Sequence, residues 1–374
     1  DSICPDQARR EGSCVKTQSA ALPRQRGMDV SLLLKKNAVP LLFAVLCILG
    51  VILSGMDPRF LLYEIVSRFA RNSFLVLALL IPVSAGLGLN FAITVGAMAG
   101  QIAIITITHH QIKGLPGLVS AMILSVPLAV VMGYLAGMVM NRAKGREMIT
   151  SMILGFFANG LYQLLFLFLV GTVIPMKNRS MMLPEGVGLR NTIDLYGVSR
   201  ALDNLWRINV AGIWVPLGTL LLVALLCVVL HYFMRTRLGQ EMRAVGQDRH
   251  IAEVAGIDVD RIRIIAMIFS TVLAAWGQLI FLQNISTLNT YNSHEQVGTF
   301  AVAALLVGGA TATRASIWQA LVGLLLFHTL FVVSPQAGQA LFGIPQIGEY
   351  FRVFVAYGVI AVALALHSWQ SRSK

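Results

Sequence analysis

An all-α polytopic membrane protein is the fold class this sequence predicts, on three observations. Of 374 residues, 56% are apolar and only 12% are charged, about half the charged share of a soluble domain. The apolar residues fall in long runs free of Asp, Glu, Lys and Arg, where about 20 residues suffice to cross a bilayer as a helix. The 29 Lys and Arg residues lie scattered between those runs. The net charge of +12 therefore reads as membrane topology and not as a nucleic-acid surface, which would cluster its basic residues among aromatics.

Residues 1–27 are polar and unpatterned, and Met28 followed by Leu32, Leu33 and Leu34 looks like a natural start. The stretch is expected to be disordered or foreign to the natural chain, with residues 28–374 forming the transmembrane domain. The run 37–56 is too long for a signal-peptide core and has no small-residue cleavage site before Met56, so it predicts a retained first helix. The 41-residue run 72–112 holds two crossings, and 114–141, 148–176 and 208–234 hold one each. Runs 264–294 and 315–348 each predict one span plus an outer loop, with Pro335 and Pro345 punctuating the latter. Runs 296–313 and 353–371 complete a count of ten helices.

Positive charge near span ends is retained in the cytoplasm. With the N-terminus inside, the inner segments carry seven basic residues in 1–36, three in 142–146, six in 235–263, one at Arg314 and two at the C-terminus. That places 19 inside against 10 outside and predicts both termini in the cytoplasm, with 177–207 as the long outer loop.

Several chemistries are excluded. No Gly-Lys dipeptide occurs, so there is no Walker A loop, and neither His-Glu-x-x-His nor Gly-x-Ser-x-Gly is present. Cys4, Cys14, Cys47 and Cys227 form no disulfide framework or metal spacing. His294-Glu295 has no second ligand at helical spacing, so His294 reads as a satisfied or solvated histidine. No catalytic residue and no metal site is expected. Ten spans can be drawn with no charged residue at a span centre, which removes the usual relay of a proton-coupled carrier.

Neutral polar residues do occur within the runs. Asn90, Thr94, Gln101, Asn159, Gln278 and Asn284 are candidates to line a path for an uncharged hydrogen-bonding solute, with Gln163, Gln283 and His328 also in the spans. Interhelical hydrogen bonding is the alternative for each. The stretch Ser84 to Ala92, containing Gly86 and Gly88, sits midway in the 41-residue run, either as a broken, pore-lining element or as a short cytoplasmic hairpin. Gly96-x-x-x-Gly100 and Gly133-x-x-x-Gly137 predict close helix packing, within or between subunits.

The loop 235–263 carries Met242, Val245, Ile251, Ala252, Val254 and Ala255 at spacings of three and four, predicting one amphipathic helix that ends at Gly256, with Asp258 capping the next span. Such a helix, with Gly246 permitting close approach, suits docking into a partner's groove or lying on lipid headgroups.

Leu238-Gly239, Arg243-Ala244-Val245-Gly246, Ala252, Ala255-Gly256-Ile257-Asp258-Val259 and Arg261 resemble the permease subunits of ABC importers for simple sugars, nucleosides and branched-chain amino acids. The resemblance continues through Ser270, Leu273-Ala274-Ala275, Gly277 and Ala303 to Ala310, and covers roughly residues 40–368. It implies that 235–263 is the coupling loop seated in a cytoplasmic ATPase, with Arg243, Ala244, Gly246, Asp248, Ala252, Glu253 and Gly256 as ATPase-coupling residues. It further implies a second permease copy or a related permease, an extracytoplasmic solute-binding protein, ATP and Mg bound by the partner ATPase and not by this chain, and the bacterial inner membrane. Sugar permeases of the family usually carry a Gly-x-Asp-Leu-Ser segment where this chain has Gly88-Leu89-Asn90-Phe91-Ala92. A nucleoside or another small polar solute therefore stays open beside a sugar, as does a self-contained secondary transporter or channel. Leu195, Val198, Leu202 and Leu205 in the outer loop predict a surface helix that helps dock the binding protein.

Overall fold

The computed structural model describes residues 37–176, 178–184, 186–210 and 212–372. The expected tail, residues 1–27, and its cysteines lie outside the described residues. Helices α1 (Ala38–Ser54), α2 (Pro58–Ala78) and the short α3 (Leu80–Ser84) lead into a non-helical stretch, followed by α4 (Ile93–His109), α5 (Gly114–Arg142) and α6 (Glu147–Leu164). The segment that follows α6 contains strand β1 (Thr192–Asp194) and the hairpin β2 (Arg207–Val210) and β3 (Ile213–Pro216). Then come α7 (Leu217–Phe233), α8 (Arg237–Gln247), α9 (Arg249–Val254), α10 (Val259–Ile285), β4 (Thr287–Asn289), α11 (Ser293–Val307), α12 (Ile317–Phe342) and α13 (Pro345–Arg372).

The protein is a predominantly helical, multi-pass membrane protein. Among the described residues five helical stretches are long and apolar enough to cross a bilayer: Pro58–Ser84, Gly114–Arg142, Glu147–Leu169, Val259–Ile285 and Ile317–Phe342. A sixth arises if α7 and α8, bent by 75° to each other, count as one. At 17 residues, α1 and α4 reach about 26 Å, short of the ~30 Å hydrocarbon core. Length and apolarity alone therefore establish five or six crossings.

Three expectations are corrected. The first crossing of the 72–112 run begins at Pro58, so Glu64, Arg68 and Arg71 ride on a spanning helix. Arg71 stands near its middle, its Nη1 donating to Asn284 Oδ1 at 3.0 Å and its guanidinium 5.6 Å from the Phe281 ring centroid. Pro335 does not end a span but lies inside α12. Proline has no N–H to give the carbonyl four residues back, and Arg352 Nη1 supplies that carbonyl, Phe331 O, with a bond of 2.9 Å. Residues 196–206 make consecutive turns in place of a surface helix. Arg200 takes a left-handed φ of 47°, and the segment is tied to the end of α10 by Leu195 N to Ser286 O (2.9 Å) and Arg200 N to Gln283 O (2.7 Å).

Helix α10 is the axis of the fold. A Cβ on Gly96 of α4 would stand 2.5 Å from the Thr271 carbonyl oxygen, and one on Gly100 2.6 Å from that of Ala275. On α5, Gly133 abuts Thr271 Oγ1, and a Cβ on Gly137 would be 3.0 Å from Ile264 Cα. Both small-residue pairs therefore pack within the subunit, where close backbone approach replaces the hydrophobic driving force that lipid removes. On the third side, Ser270 Oγ donates to Ala78 O of α2 at 2.9 Å.

Gly133→Val is expected to force α5 off α10 and destabilise the fold by about 1–3 kcal/mol. Gly160→Ala, on the open side of α6 where a Cβ meets nothing within 4 Å, should hold or slightly raise stability. Thermal unfolding of the two purified variants in mild detergent checks the pair.

Candidate translocation cavity and coupling surface

A cavity of about 480 Å³ opens between the start of α4, the middle of α6, the start of α11 and α13. Its polar face is Asn292, Glu295, Gln296 and Thr299, spaced to form one stripe of a helix. Thr94 adds a hydroxyl, and Phe91, Phe156 and Tyr357 supply aromatic walls. The volume lies in the range of small-molecule sites, which combine apolar walls with a few convergent polar groups.

A hydrogen-bonded layer fixes the stripe from behind. His294 is fully buried, with Nδ1 3.0 Å from Gln101 Oε1 and Nε2 2.9 Å from Asn159 Oδ1. Tyr162 Oη donates to Gln101 Oε1 at 2.8 Å, and Asn159 Nδ2 donates to Glu295 Oε1. His294 thus stands between Gln101 of α4 and Asn159 of α6, within hydrogen-bond distance of both, while its neighbour Glu295 faces the cavity. Of the six path candidates, Thr94 lines the cavity and Gln101 and Asn159 support it.

The loop 235–263 forms two helices where one was expected. Asp248 breaks them with extended backbone (φ −153°, ψ 113°) and caps α9 by accepting from Ile251 N at 3.0 Å. Gly256, at φ 80°, follows α9, and Asp258 caps α10 through Arg261 N at 3.0 Å, as the sequence predicted. Met242, Val245 and Ala252 are buried, whereas Arg243 and Glu253 are exposed, Arg243 with a bond to Met234 O at 2.8 Å. Ala244 is half-buried. Ile251 is 66% and Val254 77% exposed, an apolar pair presented outward. The close approach at Gly246 is internal: a Cβ there would strike the carbonyl oxygen of Ser84, and a Cβ on Gly86 would lie 3.0 Å from Gly246 Cα. The segment 85–92 is accordingly a turn region at left-handed Gly86 and Gly88, packed on α8 at one end and reaching the cavity through Phe91 at the other.

The family of sequences described as "Branched-chain amino acid transport system / permease component" matches residues 61–364. The chain belongs to this family. It is a permease subunit of an ABC importer. It is similar to the fructose import permease protein of Bifidobacterium longum, with 26% identity over 74% of this chain and 75% of that protein. It is also similar to the D-allose transport system permease protein of Escherichia coli, with 27% identity over 87% and 90%, and to the xylose/arabinose import permease protein of Sulfolobus acidocaldarius, with 26% over 74% and 69%. No solved structure matches the chain.

The remaining path candidates of the permease lie away from the cavity. Asn90 is buried, its Oδ1 accepting from Ala92 N at 3.0 Å, the bond of a local turn. Gln278 is buried in α10 away from the cavity wall. Asn284 belongs to a second, charged cavity of about 250 Å³ with Arg71, Arg200, Asp203 and Arg207. Its Oδ1 accepts from Arg71 and its Nδ2 donates to Asp203 Oδ2 at 2.7 Å. Asn292, Glu295, Gln296 and Thr299 do not stand out by charge-free runs, because Glu295 divides them between two runs. Their spacing of three, four and seven residues was the signal that could have found them.

Asn284→Leu in the permease should act as a stability defect, leaving Arg71 without its amide acceptor. A loss of about 1–3 kcal/mol, with unchanged solute affinity in the folded fraction, is the expected outcome of parallel thermal unfolding and uptake assays.

Proposed function

We propose that the permease passes a simple sugar across the bacterial inner membrane through the cavity between α4, α6, α11 and α13. The observation that carries this reading is the stripe Asn292, Glu295, Gln296 and Thr299 facing aromatic walls. It offers hydrogen-bond acceptors and donors to hydroxyl groups and stacking surfaces to a ring. The named solutes of the similar permeases, fructose, D-allose and xylose or arabinose, are of that class. Thr94 contacts the solute in this reading, while Gln101 and Asn159 hold the stripe. Asn90, Gln278 and Asn284 serve the scaffold.

The chain forms one half of a transmembrane dimer with a second copy or a related permease. Ten helices in the bilayer, with both ends in the cytoplasm, keep the orientation given by the Lys and Arg bias. A separate ATPase binds ATP and Mg and docks on the exposed face of α8 and α9 through Arg243, Asp248, Glu253, Ile251 and Val254. Ala244, Gly246 and Ala252 shape that face from within, and the exposed Gly256 turns the chain out of α9. An extracytoplasmic binding protein delivers the solute to the surface built by 177–207. ATP binding favours one state of the permease over the other by differential contacts at this face.

The test is expression with the flanking genes, purification in mild detergent and a vanadate-sensitive ATPase assay, followed by uptake of labelled pentoses, hexoses and nucleosides. Co-purification of a Walker A protein and ATP-driven sugar uptake are expected. Uptake by the permease alone in liposomes would assign transport to a self-contained carrier. Thr299→Leu should cut sugar uptake about tenfold or more, by removing a hydroxyl and filling the cavity, at unchanged thermal stability. Uptake at the parental rate would remove the cavity from the path.

A further inference from the structure

Helix α6 walls the cavity with Met152, Gly155 and Phe156 and holds Glu295 through Asn159. Its first residue, Glu147, sits 12 positions before Asn159, about 18 Å away along a helix. Glu147 Oε1 accepts from Arg249 Nη2 at 2.7 Å and from Arg263 Nη2 at 2.8 Å. Arg249 opens α9 on the coupling surface, and Arg263 belongs to the axial helix α10. One carboxylate oxygen is therefore shared by two guanidinium groups from two elements.

The two arginines are not equivalent. Arg263 is fully buried, and its Nε and Nη1 have no hydrogen-bond partner among the described residues. Glu147 is its counter-charge, and separating a buried charge from its counter-charge is strongly unfavourable. Arg249 is partly exposed, with 29% of its side-chain surface accessible. The carboxylate thus keeps Arg263 as its pivot on α10, while its bond to Arg249 lets a pull from α9 swing α6 about that pivot. Between its two anchored ends α6 is lightly held, with only 17% of its span buried, so its body follows its ends.

We infer that Glu147 is a positioning residue that links the coupling surface to the cavity wall, so that displacement of α9 against α10 travels along α6 to Asn159 and Glu295. This rests on the importer reading above and names the joint through which that reading operates.

The experiment uses the full complex with its ATPase and binding protein in proteoliposomes. Arg249→Gln keeps the Glu147–Arg263 pair, and therefore the buried charge balance. Spin labels at Ile153 on α6 and Phe269 on α10, both exposed, report the α6–α10 distance with and without vanadate-trapped nucleotide. The expected result is a nucleotide-dependent distance change in the parent that shrinks in Arg249→Gln. Solute imported per ATP hydrolysed should fall about fivefold or more, and both readouts should return in Arg249→Lys. Arg249→Gln with the parental distance change and import ratio would overturn this inference alone. A parent complex without ATP-driven uptake would overturn the importer reading and the joint with it.

Discussion

Three helices grip α10 at backbone distance, and the other elements take their places from that grip. Gly96 and Gly100 let α4 lie on Thr271 and Ala275, Gly133 and Gly137 let α5 lie on the same helix from another side, and Ser270 bonds the Ala78 carbonyl of α2. Lipid is as apolar as leucine, so contact area alone does not hold helices together in a bilayer, and interlocking at this range supplies the attraction. Because α4 and α10 are locked, the start of α4 is a fixed wall against which α6 and α11 enclose the cavity.

The same environment makes every backbone group a constraint. Pro335 withholds the donor that Phe331 O needs, and Arg352 brings one from α13. The arginine also stacks on the Phe331 ring, 4.9 Å from its centroid. One substitution-sensitive pair therefore permits a proline in a long buried helix and pins α13 to α12.

The helical membrane fold, the amphipathic character of residues 237–254 and the packing glycines were legible in the sequence because each follows from a local rule: run length, amphipathic spacing, small residues one turn apart. Span boundaries were less so. Arg71 is tolerated in a spanning helix because Asn284 and Phe281, more than 200 residues away, receive it, and no local pattern announces a partner at that separation. The cavity was legible in part. Thr94, Gln101 and Asn159 were read as polar residues in apolar runs, but Glu295 looked like a boundary charge, since only the fold shows that His294 stands between Gln101 and Asn159. Gly246 was recognised as a site of close approach, while the neighbour it approaches, Ser84, lies in a segment read separately.

The outward pair Ile251 and Val254 bears on the life of the subunit before assembly. A lone copy displays two large aliphatic side chains on neighbouring turns of α9, and exposed apolar surface is what folding surveillance and proteases engage. A partner that covered the pair would lengthen the life of the subunit by hiding it.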